Sequence, residues 1–244
     1  IDGPELQPFE ILTGSTEEAP TVVLPILHGP NGEDGTVQGL LEMAQVPYVG
    51  AGVLGSAVAM DKAMAKTVLD AAGIAQPSWA AVRVTELDQA QELVARLIAE
   101  LGETIFVKPA NMGSSIGITK AHGSEQLLAA LELAFEYDEI AVVEEAVVSR
   151  ELEVAVLGNR SPRASVVGEI IPAAEFYDYE DKYADGTAQS VIPAQISAAA
   201  SVELRELAVK TFSALRAEGM ARVDVFLEEG TAEQPGRGFL VNEI

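Results

Sequence analysis

The chain has 244 residues, of which 48% are hydrophobic and 22% charged, so it carries enough apolar material for a folded protein of two or three modest domains. Asp and Glu number 38 against 15 Lys and Arg, a net charge of −23, which repels phosphate backbones and argues against nucleic acid as a partner. There is no cysteine, which excludes disulfides and thiolate metal sites; no apolar run reaches the ~20 residues of a membrane span, and the first ten residues lack the basic-then-apolar order of a secretory signal. These features are read as those of a soluble cytoplasmic protein, in which an anionic ligand would need local lysines and a divalent cation to reverse the field.

Residues 1–20 give no periodic signal. The apolar run Thr21–Leu27, ending at His28-Gly29, reads as a buried strand leading into a loop, Gly-Glu-Asp-Gly at 32–35, after which Thr36 is placed as the N-cap of a short helix through Gln45. Asp61–Ala72 holds helix formers and stops at Gly73, and Trp79–Val84 reads as a strand. Over Asp88–Leu101, Leu93, Val94, Leu97, Ile98 and Leu101 form the apolar stripe of a helix packed on one side. Ile105–Lys108 is a strand halted by Pro109, followed by a Gly/Ser loop at 113–117. Ser124 is placed as the cap of a helix bearing Leu127, Leu128, Leu131, Ala134 and Phe135 on one side.

Strands follow at Ala141–Val148, Leu152–Leu157 and Ala164–Ile171. Residues 172–190 have no period; a loop of ~19 residues is more often functional than not. Ser201 is expected to cap a helix carrying Leu204, Leu207, Ala208, Phe212 and Leu215, and Arg222–Leu227 and Gly238–Glu243 read as two closing strands. The mixture predicts an α/β or α+β fold.

Four constellations carry chemistry. Gly113-Ser114-Ser115-Ile116-Gly117 follows the strand that ends in Lys108; its backbone N–H groups and hydroxyls could cradle a phosphate, although an ordinary hairpin turn would look the same. In Arg222-Val223-Asp224-Val225, alternation puts Arg222 and Asp224 on one face. In Phe239–Glu243 it puts Glu243 with Phe239. If these strands are neighbours, Asp224 and Glu243 could hold a divalent cation and Arg222 could stabilise developing negative charge; surface ion pairs are the alternative. Glu144-Glu145-Ala146-Val147 with Glu151 could meet an adenine edge and ribose hydroxyls, or could be a solvated acidic turn. Phe176-Tyr177-Asp178-Tyr179-Glu180-Asp181-Lys182-Tyr183 suits a lid that excludes water.

Taken in order, these residues resemble the D-alanine–D-alanine ligases. His28-Gly29-Pro30-Asn31-Gly32-Glu33-Asp34-Gly35-Thr36-Val37-Gln38-Gly39 is similar to the first signature of that family, and Met60-Asp61-Lys62 to the opening of its central domain. Lys108-Pro109 with Gly113–Gly117 is similar to its phosphate-covering loop and Phe176–Tyr183 to its omega loop. Arg222-Val223-Asp224-Val225 and Asn242-Glu243-Ile244 resemble its metal-binding strands. The resemblance spans residues 22–244 and implies an ATP-grasp fold. Its parts would be an N-terminal α/β domain at 1–57, incomplete at its start, and two ATP-grasp subdomains at 58–148 and 149–244, the last carrying an omega loop at 172–190 and incomplete at its end.

The resemblance also implies roles. Lys62 and Lys108 would contact ATP phosphates, with Gly113, Ser114 and Ser115 closing over them and Ser114 reaching the Tyr183 lid. Glu144, Glu145, Val147 and Glu151 would hold adenosine, with Phe176 and Lys182 near the nucleotide. Asp224 and Glu243 would bind Mg²⁺ or Mn²⁺, Arg222 would stabilise the tetrahedral intermediate, and His28 and Glu33 would lie near the first D-alanine. The implied reaction joins two D-alanines through D-alanyl phosphate for peptidoglycan synthesis, in a cytoplasmic homodimer. A D-alanine–D-lactate ligase and a noncatalytic nucleotide-binding domain are the rivals; Lys182-Tyr183 favours alanine over lactate. The family also implies a Gly-rich strand and a glutamate ahead of residue 1, and an asparagine metal ligand and a substrate loop after Ile244. The sequence is therefore expected to be part of a longer chain that alone would bind ATP but ligate poorly.

Overall fold

In a computed structural model of the chain, residues 22–171, 189–231 and 235–244 are described. Helices α1 (Thr36–Met43), α2 (Val53–Met60) and α3 (Lys62–Ala71) lead into strand β1 (Trp79–Arg83) and a 3-10 turn, Val84–Gln89. Helix α4 (Ala90–Leu101), strands β2 (Thr104–Pro109) and β3 (Thr119–His122), helix α5 (Gly123–Ala134) and β4 (Ile140–Glu145) complete a first unit. Strands β5 (Arg150–Leu157), β6 (Arg163–Ala164), β7 (Gly168–Ile171) and β8 (Gln189–Val191), helix α6 (Ala198–Ala214), and strands β9 (Met220–Glu228) and β10 (Gly238–Glu243) form a second.

Two antiparallel sheets organise these elements. The first runs β1-β4-β2-β3; the second runs β10-β9-β5-β7-β8, with β6 paired to β5. Alternation along each strand sends one set of side chains into a core. On the first sheet Val82, Ile105, Val107, Ala121, Ala141 and Val143 pack under α4 and α5, which contribute Leu93, Val94, Leu97, Leu101, Leu127 and Leu131. Each such Leu or Val, fully buried, contributes ~1.5–3 kcal/mol. On the second sheet Leu152, Val154, Val156, Val223, Val225, Phe239 and Val241 pack against Leu204, Ala208 and Phe212 of α6.

Helix α3 serves both units. Asp61 caps it, its Oδ1 accepting the Met64 N–H at 3.0 Å, and Gly73 follows it at φ +63. The apolar Ala65 and Leu69, with Ile74 just beyond the helix, join the core of the second sheet, while the same buried stripe carries Lys62 and Lys66 toward the first.

Several local expectations are corrected. Thr21–Leu27 does not form a buried strand over its described part: only Val23 bridges, to Tyr48, and Leu24, Ile26 and Leu27 are exposed because no described element covers them. Thr36 is the first helical residue, not the cap. Gly35, at φ +93, takes the N-cap position, and Asp34 Oδ1 accepts the Thr36 N–H at 2.9 Å. Helix α5 starts at Gly123, ahead of Ser124, and α6 is capped by Ser197, whose Oγ accepts the Ala200 N–H at 3.1 Å, four residues before Ser201. The Ala198-Ala199-Ala200 run had no apolar contrast to mark that start. The strand from Ala141 ends at Glu145 rather than Val148, and Ala164–Ile171 is broken between β6 and β7. Residues 189 and 190, expected in the long loop, belong to β8. Helix α2 had no sequence expectation.

Candidate nucleotide and metal site

The first sheet turns a charged face toward the second. Phe106, Lys108, Val142 and Glu144 share this face by the β2–β4 register, in which Lys108 opposes Val142 and Phe106 opposes Glu144. Lys108 and Glu144 are diagonal neighbours, and Lys108 Nζ donates to Glu144 Oε2 at 2.9 Å. Lys66 Nζ approaches the other oxygen, Glu144 Oε1, at 3.3 Å. Lys66 and Glu144 are each 2% exposed, Lys108 7% and Lys62 9%, so three cations stand around one buried anion. Burial lowers the proton affinity of Lys62 and Lys66, partly offset by their carboxylate neighbours. Burial also pushes the Glu144 carboxyl up, but Lys108 and Lys66 outweigh it and hold the group below its usual range.

Sequence reasoning missed Lys66. Its signal was its position one turn after Lys62 on the same helical stripe. Glu144, expected to help hold adenosine or to lie in a solvated acidic turn, is buried, and its carboxylate meets two lysines. Glu145 accepts the Ser78 N–H at 2.6 Å and pairs with Arg237, which also holds Glu228. Val147 is half-buried in the segment between the two sheets.

On the second sheet, Val223 and Val225 face the core, which leaves Arg222 and Asp224 on the opposite face as alternation required. Arg222 Nε and Nη2 donate to the two Asp224 oxygens, both at 2.6 Å. Burial, with the nearby carboxylates of Glu243 and Glu153 outweighed in part by Arg222, raises the Asp224 carboxyl to about 6. Glu153 opposes Asp224 across β5 and β9, so Glu153, Asp224 and Glu243 lie in a row over three strands. Glu151 lies two residues from Glu153 on the same face of β5.

The expectation that Glu243 shares a face with Phe239 is overturned by a β-bulge. Val241 opposes Val225, yet Glu243 opposes Asp224, so Asn242 is the extra residue. Without it Glu243 would oppose Val223 and point into the core. With it, Glu243 joins Asp224, and Asn242 Oδ1 accepts from Lys108 Nζ at 3.1 Å. That bond joins the basic face of the first sheet to the acidic face of the second. Lys62 also feels the Glu243 carboxylate.

The Gly/Ser loop closes one end of this gap. Ser114 and Ser115 both adopt positive φ, 54 and 60, and Gly117 follows at 70. A Cβ on Gly117 would sit 2.7 Å from the Pro109 ring, so glycine is required there on two grounds. Lys62 Nζ donates to the Met112 carbonyl, and a Cβ on Gly113 would be 3.3 Å from Gly29 Cα. The loop after Lys108 therefore touches the His28–Gly29 turn. Glu33 Oε2 accepts the Gly29 N–H at 2.6 Å, holding that turn, and His28 is exposed beside it. The expectations for Phe176, Lys182 and Tyr183 fall outside the described residues.

A divalent cation bound with polyphosphate suits this donor set. Two carboxylates, Asp224 and Glu243, oppose each other on neighbouring strands. Among the described residues no three acidic or His side chains assemble into a metal cage, so ligand oxygens would have to complete the shell. No helix among the described residues is long and apolar enough to cross a membrane.

Two α+β sheets that face each other across a lysine- and carboxylate-lined gap define the ATP-grasp class of fold. Solved structures share the arrangement. "Crystal Structure of VanG D-Ala:D-Ser Ligase from Enterococcus faecalis" superposes with a TM-score of 0.79 at 38% identity, covering 91% of this chain and 62% of that one. The D-alanine-D-alanine ligase from Coxiella burnetii gives 0.74 at 34% identity, covering 91% and 58%.

The chain belongs to the D-alanine–D-alanine ligase family: residues 68–243 match the family description "D-ala D-ala ligase C-terminus" and residues 4–51 match "D-ala D-ala ligase N-terminus". Curated relatives named D-alanine--D-alanine ligase from Chloroherpeton thalassium and Geobacillus kaustophilus are each 50% identical, over 224 and 220 residues, 91% and 90% of this chain. The chain spans 60% of the length of each of these relatives.

Proposed function

We propose that the protein to which this chain belongs joins two D-alanines in the cytoplasm, as a homodimer, consuming ATP and passing through D-alanyl phosphate. The observation that carries the reading is the Lys108–Asn242 bond, which joins the cationic face of the first sheet to the strand that carries Glu243 beside Asp224. Phosphoryl transfer needs mainly positioning and charge neutralisation, and both are supplied by side chains already in place.

In this reading Lys62 and Lys108 hold the phosphates of ATP, and the 113–117 loop covers them with backbone and serine donors. Glu145, Val147 and Glu151 border the adenosine. Glu144 contributes as the counter-ion of Lys108 rather than as a ribose ligand. Asp224 and Glu243 hold Mg²⁺ or Mn²⁺, which when bound neutralises polyphosphate charge. The carboxylate of one D-alanine attacks the γ-phosphorus, the bond to the β-phosphate oxygen breaks, and ADP leaves. The neutral amine of the second D-alanine then attacks the acyl carbon, the bond from that carbon to the phosphate oxygen breaks, and the amine's proton leaves with the phosphate. Arg222, relieved of part of its pairing with Asp224, stabilises the oxyanion formed in that attack. His28 and Glu33 border the first D-alanine, next to the phosphate-covering loop, and the division at 58–148 and 149–244 separates the two halves of the nucleotide gap.

Calorimetry of the chain with ATP, with and without Mg²⁺, tests the nucleotide site. The expected result is binding that strengthens with Mg²⁺ and loses about tenfold in Asp224→Asn. ADP release by the whole protein that requires D-alanine, and that D-lactate does not replace as second substrate at neutral pH, is expected for the ligation. ADP release indifferent to D-alanine would overturn it.

A further inference from the structure

One buried ionisable group has no part in the mechanism above. Lys66 is 2% exposed, lies among the largest fully buried side chains, and carries its charge into the protein on the same stripe as Ala65 and Leu69. Its ion-pair partner is Glu144, the residue that also pairs with Lys108. A single carboxylate is thus shared by two ammonium groups. If Glu144 faced Lys108 alone, that pair would be neutral, and the surplus positive charge on this face would be that of Lys62 alone. With Lys66 on the other oxygen the triad carries a net charge of one positive unit, and Lys108, which also reaches Asn242, lies at its ligand-facing end.

We infer that Lys66 is a positioning residue of the phosphate site: by sharing Glu144 it keeps Lys108 from being cancelled, and so sets the net positive charge offered to the polyphosphate of the nucleotide. The inference rests on the nucleotide reading proposed above. Two features argue against a purely structural role. A buried cation is costly to retain where an apolar side chain of similar length would pack as well. The rest of the stripe already has apolar anchors in Ala65 and Leu69, so packing alone does not ask for an ammonium group. The charge is also placed where it counts, because a low-dielectric surrounding screens little over the span from Lys66 to Lys108.

The test is calorimetric titration of the whole 244-residue chain and of Lys66→Met and Lys66→Arg with MgATP and, separately, with adenosine, alongside thermal melts. Lys66→Met is expected to weaken MgATP about tenfold, to change adenosine binding less than about twofold, and to melt at or above the wild-type temperature. Lys66→Arg, which keeps the charge, is expected to stay within about threefold of wild type for MgATP. Equal MgATP affinity in wild type and Lys66→Met overturns the inference while leaving the nucleotide reading intact. Equal losses for MgATP and adenosine overturn it too, since they mean a packing defect. Lys66→Gln takes the place of Lys66→Met should the latter not fold, and failure of both to fold makes the role structural and overturns the inference. A wild-type chain that binds no MgATP removes the nucleotide reading itself, and this inference with it.

Discussion

The two sheets solve the same problem in opposite ways. Each buries one apolar face and turns charge toward the gap, but the first sheet hides its charges and the second leaves them near water. Lys66, Lys108 and Glu144 have side chains 2%, 9% and 3% exposed, whereas Arg222 is 59% exposed and its partner Asp224 20%. A buried cluster with surplus positive charge is intolerant of losing its one anion. An Arg–Asp pair whose arginine reaches solvent can exchange partners at lower cost, as the metal- and substrate-binding role proposed for this face requires. The first sheet supplies a fixed field; the second supplies groups that can be rearranged.

The sharpest way to break this contrast is to remove one carboxylate from each sheet. Glu144→Ala leaves two buried ammonium groups unpaired and should cost about 3–5 kcal/mol in urea unfolding. Asp224→Ala, whose arginine partner reaches solvent, should cost no more than about 1 kcal/mol. Similar losses for the two would erase the distinction.

A smaller effect is expected at the loop that roofs the first sheet. Gly117→Ala must hold a φ of +70 and place a methyl against Pro109 and Tyr137. A loss of about 2 kcal/mol in thermal unfolding is expected, together with weaker MgATP binding. A variant as stable as wild type would show that the loop is free to rearrange.

The second sheet has its own firmly held pair away from the gap. Arg150 Nε and Nη2 donate to both Glu169 oxygens at 2.7 Å, and these bonds hold the Glu169 carboxyl below its ordinary 4.5. The unfolded chain therefore binds this proton more readily than the folded one. The stabilisation is fully present above about pH 4.5 and is lost as pH falls through the lower folded value. Glu169→Gln should lose ~1–2 kcal/mol at neutral pH and show a shallower acid limb in a pH series of melts.

The smallest change is expected at the exposed link between the sheets. Arg237, 40% exposed, ties Glu228 on β9 to Glu145 at the end of β4. Arg237→Ala should cost less than ~1 kcal/mol, and the difference from wild type should shrink as salt rises. A larger, salt-insensitive loss would mean that the link governs how the sheets meet.

Much of this was legible in the residues. The stripe of Leu93, Val94, Leu97 and Leu101 and the alternation of Arg222, Val223, Asp224 and Val225 specified a helix face and a strand face, because local periodicity and the hydrophobic effect act on neighbours in sequence. Gly113–Gly117 after Lys108 marked a loop in which backbone, not side chain, must come close. Asp224 and Glu243 could be named as partners from residue type and order.

Tertiary structure alone decided the rest. No local pattern tells that Asn242 is a bulge; only pairing with β9 moves Glu243 from the core face to the face of Asp224. Glu144 looked like part of an acidic turn until folding brought Lys66 and Lys108 to it from 78 and 36 residues away. The apolar run Thr21–Leu27 looked like a core strand, but apolarity leads to burial only when something covers it, and Leu24, Ile26 and Leu27 are exposed. Sequence determines which face each side chain can take within its own element. Which charges meet across elements, and which of them lose water, is set only when distant segments pack.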